Sequence, residues 1–234
     1  MSYSNFDIPK LAKYLHLSER EVQKLAERGD IPGRKIQGDW VFSREEVHIW
    51  WEQRIGLSDS RELETVEVVL AKNAIEEEEP VLLANLIPES GIEIPFMAKT
   101  RDSAIRSMST LAANTGLLWD AEKMAEALKK REDLHPTALD NGVALLHPRR
   151  PLTAILGETF IVLGITPRGI PFGGGFGNLT DIFFLLCSTD DRTHLRVLAR
   201  LSRLLTIPGF LDELRIREDA ASIRDWIANS EEKI

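Results

Sequence analysis

A short apolar run, Val143-Ala144-Leu145-Leu146, follows an Asn141-Gly142 pair and ends in His147-Pro148. This order predicts a turn feeding a buried strand that delivers a histidine at its mouth, with Pro148 stiffening the exit. Neutral imidazole, with a reference pKa of about 6.5, is a competent nucleophile near neutral pH. If its electrophile were a phosphoryl group, cations and backbone donors would have to gather around the charged oxygens. Arg131, Arg149, Arg150 and the Asn141-Gly142 backbone are the nearby candidates. Taken alone, a histidine in such a position is more often structural than nucleophilic. The framing by Asn-Gly and Arg131 favours a nucleophile, placed where a partner can reach it.

The elements that must hold this histidine are legible in hydrophobic spacing. From residue 83 to the end, strand and helix signals alternate, the signature of an α/β domain. Strand-like runs fall at 92–96, 141–146, 160–165 and 182–187. Helical spacing covers 102–114 (Ala104, Ile105, Met108, Leu111, Ala112), 120–130 (Met124, Leu128) and 193–205 (Leu195, Leu198, Leu201, Leu205), with two more helices near 209–214 and 220–229.

Residues 1–56 read differently. Asp7 can cap a helix with Pro9 in its first turn and Ile8, Leu11, Ala12 and Leu15 inward. Ser18 and Glu21 form a capping-box pattern for a second helix with Val22, Leu25 and Ala26 inward, stopped by Gly29. Gln37-Gly38-Asp39 reads as a hairpin turn, and Ser43 with Glu46 opens a helix that turns Val47, Trp50 and Trp51 inward. Helix-turn-helix, hairpin, helix is a winged DNA-binding arrangement. Arg20, Gln23 and Lys24 fall on the outward face of the second helix and Arg34 and Lys35 on the wing, positions suited to base and backbone contact; the bland alternative is a merely solvated face. Between the two units, 57–82 is expected to be a linker. Its Glu76–Glu79 run reads as a solvated stretch, and 65–71 as a short strand or a dimer-forming helix.

Composition narrows the function classes. The chain has 234 residues, 43% apolar and 28% charged, and no apolar run near the roughly 18 residues of a membrane span. With no signal-peptide pattern and one cysteine, Cys187, a cytoplasmic protein without membrane insertion is expected. The formal net charge of −8 is uneven: residues 1–56 balance nine basic against nine acidic, whereas 57–234 carry twenty against twenty-eight. Any DNA contact must therefore come from charge placement, and zero net charge on the first unit favours a homodimer for tight binding. Gly173, Gly174, Gly175 and Gly177 lack the phosphate-loop pattern and read as a hairpin turn. No cofactor is expected, and no metal, since conventional ligand spacing is missing. His16, His48 and His135 read as surface residues, and Cys187 as core.

Two family resemblances sit on these residues. The stretch DIPKLAKYLHLSEREVQKLAERGDIPGRKIQGDWVFSREEVHIWW resembles the MerR-like excisionase family of winged helix-turn-helix domains, which implies that the second helix enters a DNA groove. Arg131-Glu132, Pro136-Thr137, Asn141-Gly142-Val143-Ala144 and His147 resemble the fructose/mannitol and nitrogen-regulatory class of phosphotransferase-system enzyme IIA. That likeness continues through IVLGITPRGIPFGG and LTDIFFLLCSTDDRTHLRVLARLSRLL, covering roughly 83–230. It implies a mixed sheet flanked by helices, a phosphorylated His147, and His194 beside it at the start of the late helix. Arg131 would act with the two histidines, while Thr137, Asn141, Gly142 and Arg149 would bind the phosphate. An HPr-type phosphocarrier would be the donor. The sequence departs from the family at Leu146, where a proline is usual, and at Asp140, where a glycine is. Asp140 adds a carboxylate that would repel a phosphate nearby. Without the resemblance, the second reading is a transcription factor whose C-terminal domain binds partners or ligand and is not phosphorylated.

Overall fold

The computed structural model describes residues 5–15, 17–44, 46–47, 49–50, 81–173 and 177–234. The chain divides into two compact units, residues 1–80 and 81–234. The expected linker lies almost wholly outside the described residues, as do His16, His48, Trp51, the 65–71 segment and the Glu76–Glu79 run.

In the first unit, α1 (Ile8–Leu15) buries Leu11, Ala12 and Leu15, and α2 (Glu19–Arg28) buries Val22 and Ala26. The Ser18–Glu21 capping box is formed, and Gly29 ends α2 in the left-handed region. Strands β1 (Arg34–Ile36) and β2 (Asp39–Val41) pair antiparallel. Their turn is Gln37-Gly38 alone, both at positive φ, so Asp39 starts the second strand instead of completing the turn. Beyond β2, Ser43 Oγ accepts from the Glu46 N–H, and Val47 is buried.

The second unit opens with α3 (Leu83–Leu86) and β3 (Ile92–Glu93). Strand β3 is shorter than the alternation predicts, because Pro95 has no N–H to continue the ladder. Then come α4 (Arg101–Asn114), α5 (Ala121–Leu134), β4 (Val143–Leu146), β5 (Phe160–Pro171) and β6 (Leu179–Cys187), followed by α6 (Asp191–Leu205), α7 (Phe210–Arg215) and α8 (Ala220–Glu231). The sheet order is β3-β5-β6-β4; β3 with β5 and β4 with β6 are parallel, while β5 and β6 are antiparallel. The sheet is therefore mixed, with helices on both faces. Strand β5 runs past Ile165, through an irregularity between Ile165 and Ile170 that accommodates Pro167. The hairpin expected around Gly173 and Gly177 joins β5 to β6, although 174–176 lie outside the described residues.

One sheet face is closed by α4 and α5: Met108, Leu111, Met124 and Leu128 share a core with Ala144, Leu146, Val162, Phe183 and Leu185. Alternation along β4 turns Val143 and Leu145, both buried, to the opposite face. Every residue of β4 is buried, as befits a strand covered on both faces. A carboxylate closes the ends of this unit on each other. Glu231 on α8 accepts from the Leu83 and Ala84 N–H groups at 2.7 and 2.9 Å and pairs with Arg200 on α6 at 2.9 Å. It thereby satisfies donors that the short helix α3 cannot satisfy itself.

Candidate functional site

His147 leaves the carboxyl end of β4, and His194 stands in the first turn of α6, which follows the parallel neighbour β6. The topology thus brings together two histidines 47 positions apart, with ring centroids 5.0 Å apart and planes inclined by 52°. Asp190 sets the start of α6 by accepting the Thr193 N–H at 2.8 Å, which fixes the turn that carries His194. His147 Nδ1 lies 2.8 Å from the Leu145 carbonyl oxygen. A carbonyl only accepts, so Nδ1 holds the proton and the neutral ring keeps its lone pair on Nε2. His194 Nδ1 lies 3.4 Å from Ser188 Oγ at the end of β6.

Both rings are buried, each 3% exposed. For His147 this corrects the expectation of a histidine open to a partner. The sequence shows Pro148 and two arginines after it and suggests an open mouth, whereas the fold covers the ring from elements distant in the chain.

Helix α5 runs four residues beyond the predicted 120–130 and carries Arg131 and Glu132, both buried, into its last turn. Arg131 Nη1 donates to the His135 carbonyl at 2.8 Å, closing the helix end. Glu132 accepts from the Thr137 N–H at 3.0 Å and from the Thr137 hydroxyl. Both Thr137 donors are therefore engaged by a carboxylate, not turned toward an anion beside His147. The Thr137 carbonyl accepts from the Leu145 N–H at 3.3 Å, and Ala138 bridges Ala144. The sequence shows Glu132 as part of a motif, without assigning it the contact with Thr137. The signal available was a carboxylate five positions before a threonine, across a helix end.

Asn141 and Gly142 are not brought to His147. They enter β4 where His147 leaves it, so four extended residues at about 3.3 Å each separate them. There they serve a structural end. Arg215 donates to both oxygens of Asp181 at 2.7 and 3.0 Å and to the Asn141 carbonyl at 2.9 Å, clamping the turn. That carboxylate, with a further contribution from Asp212, holds the Arg215 guanidinium pKa above its ordinary value. Arg149 and Arg150 are exposed in the turn after Pro148. Among the described residues, no group of three or more His, Cys, Asp or Glu side chains is gathered to hold a metal ion. Burial pushes the Cys187 thiol up, far from its reactive form.

On α2, Arg20, Gln23 and Lys24 are exposed, opposite the buried Val22 and Ala26. Gln23 donates to Glu27 at 2.9 Å. On β1, Arg34 is 3.6 Å from Glu46, and Lys35 lies over the Trp40 ring at 5.3 Å. Both remain exposed.

Comparison with known proteins follows this division. Residues 85–230 match the family model described as phosphoenolpyruvate-dependent sugar phosphotransferase system, EIIA 2, and residues 6–55 match one described as a helix-turn-helix domain. A nitrogen regulatory protein of Bradyrhizobium diazoefficiens is 32% identical over 149 residues, 62% of this chain and 94% of that protein. The fructose-specific EIIABC component of Bacillus subtilis is 27% identical over 147 residues; the match spans 62% of this chain but only 23% of that protein. Among solved structures, the nitrogen regulatory protein IIA-Ntr of Neisseria meningitidis superimposes with a TM-score of 0.57 at 20% identity, covering 63% of this chain and 99% of that one. Since the matched model spans well over half of its residues, the chain belongs to the EIIA 2 family of the phosphoenolpyruvate-dependent sugar phosphotransferase system, with a helix-turn-helix domain ahead of the IIA domain.

Proposed function

We propose that this protein is a regulatory phosphocarrier: His147 accepts a phosphoryl group from an HPr-type carrier, and its phosphorylation state alters DNA or partner binding through the N-terminal unit. The observation that carries this reading is the Nδ1 contact to Leu145 beside a second histidine 5.0 Å away. The Nε2 lone pair attacks phosphorus, the donor's P–N bond breaks with its electron pair returning to the donor imidazole, and an Nε2–P bond forms. His194 would donate to a phosphoryl oxygen. The first-turn N–H groups of α6 add positive potential for the same charge, and Arg131 and Arg149 supply the cations.

The 3% exposure of His147 favours the second reading, an interaction module that is never phosphorylated. Both are decided by incubating the full chain with phosphoenolpyruvate, enzyme I and HPr and detecting phosphohistidine. Label on wild type and none on His147→Ala is the expected result. Wild type without label, in a mixture that labels HPr, removes the carrier reading and leaves the interaction module.

A further inference from the structure

We propose that Glu132 is a positioning residue for the His147 imidazole, acting through Thr137 and Leu145. The part of this that concerns rate rests on the reading of His147 as phosphoryl acceptor; the part that concerns the ring does not. Glu132 is 1% exposed, a burial that a carboxylate tolerates only when its oxygens are engaged. Both are: one takes the Thr137 N–H and the other the Thr137 hydroxyl. This clasp crosses the end of α5 and holds 137–138 against β4, where the Thr137 carbonyl takes the Leu145 N–H and Leu139 donates to the Val143 carbonyl at 2.7 Å. The Leu145 carbonyl, on the next peptide unit, takes His147 Nδ1.

The link is geometric. The two hydrogen bonds at Leu145 belong to different peptide units, so the chain of contacts transmits position and not charge. What Glu132 secures is the placement of one carbonyl oxygen, and that oxygen decides which ring nitrogen keeps the proton. If the 137–138 segment drifts, the Leu145 carbonyl loses its register and the ring is free to exchange tautomers. Acceptor lone pairs would then sit on Nδ1, turned toward the backbone.

The test is ring-nitrogen NMR on the full chain carrying 15N-histidine, in wild type, Glu132→Ala, Thr137→Val and Glu132→Gln. Wild-type His147 is expected as the Nδ1–H tautomer. Glu132→Ala and Thr137→Val should move it toward the Nε2–H tautomer, which an untethered histidine favours. Glu132→Gln should restore it, because the amide oxygen accepts the Thr137 N–H while its NH2 donates to the hydroxyl. Asp181→Asn, on the neighbouring strand β6 beside the start of β4, controls for general loosening and should leave the tautomer alone. In the phosphotransfer assay, Glu132→Ala should lower kcat about tenfold or more at unchanged KM for the donor. Folded Glu132→Ala and Thr137→Val proteins that keep the wild-type tautomer overturn the proposal. Should Glu132→Ala not fold, Thr137→Val with Glu132→Gln decides alone. Absence of phosphohistidine in wild type sinks the carrier reading and leaves the tautomer result standing, so the two failures are distinguishable.

Discussion

Gly142 shows how a single position serves the site without touching it. Its φ is +88°, and a Cβ there would meet Arg215 Nη2 and Asp181 Oδ1, each at 2.8 Å. An alanine would therefore meet both backbone strain and the ion pair that clamps the turn. Gly142→Ala is expected to destabilise the 81–234 unit by about 2 kcal/mol, read as a lower urea midpoint. Since the turn lies a full strand away from His147, the folded variant should label with phosphate as wild type does. A Gly142→Ala protein that keeps its midpoint but loses labelling would return Gly142 to the phosphate. Histidine, arginine and glycine were all legible at this scale as residue types. Their assignments were not equally legible: Asn141 and Gly142 sit close to His147 in a motif, yet an extended strand carries sequence neighbours apart at about 3.3 Å per residue.

Among the elements, N-caps are legible in sequence because each is a contact between residues three apart. Asp7, Ser18 and Ser43 each accept the expected N–H, and Asp120 and Asp190, not singled out by the spacing, do the same. Asp219 does the same for α8: its carboxyl is held below its ordinary value of 3.8, first by the Ser222 backbone N–H and then by the Ser222 side chain. A depressed carboxyl stabilises the fold above its unfolded pKa and loses that contribution as pH falls through the folded value. Wild type is therefore expected to show fraying of α8 on acidification below about pH 4. Asp219→Asn, which caps without titrating, should lack that step when amide exchange is followed across the same range. A wild-type helix end that exchanges equally fast at pH 3 and pH 6, after correction for intrinsic rates, contradicts this. The end of α5 was misplaced for a related reason. Arg131 and Glu132 are good helix formers, and what stops the helix is His135, held extended ahead of Pro136.

Over the whole molecule, charge is unevenly placed. Residues 1–56 carry no net charge, and residues 57–234 hold the entire acidic excess. If Arg20 and Lys24 on α2 face a DNA backbone, removing both should weaken binding at least tenfold and reduce the salt slope by about two. A gel shift of the full chain on the DNA upstream of its own gene, run at several salt concentrations, measures both. An unchanged slope moves the DNA-facing surface elsewhere. Periodicity and capping, being local, already marked the two-unit division, the α/β character of the second unit and the residues turned inward. They could not show that Glu231 reaches back to Leu83, that Glu132 clasps Thr137, or that His147 is covered. Each of these depends on which distant surfaces pack together, and burial of a polar side chain is set by its neighbours in space, to which hydrophobic spacing along the chain is blind.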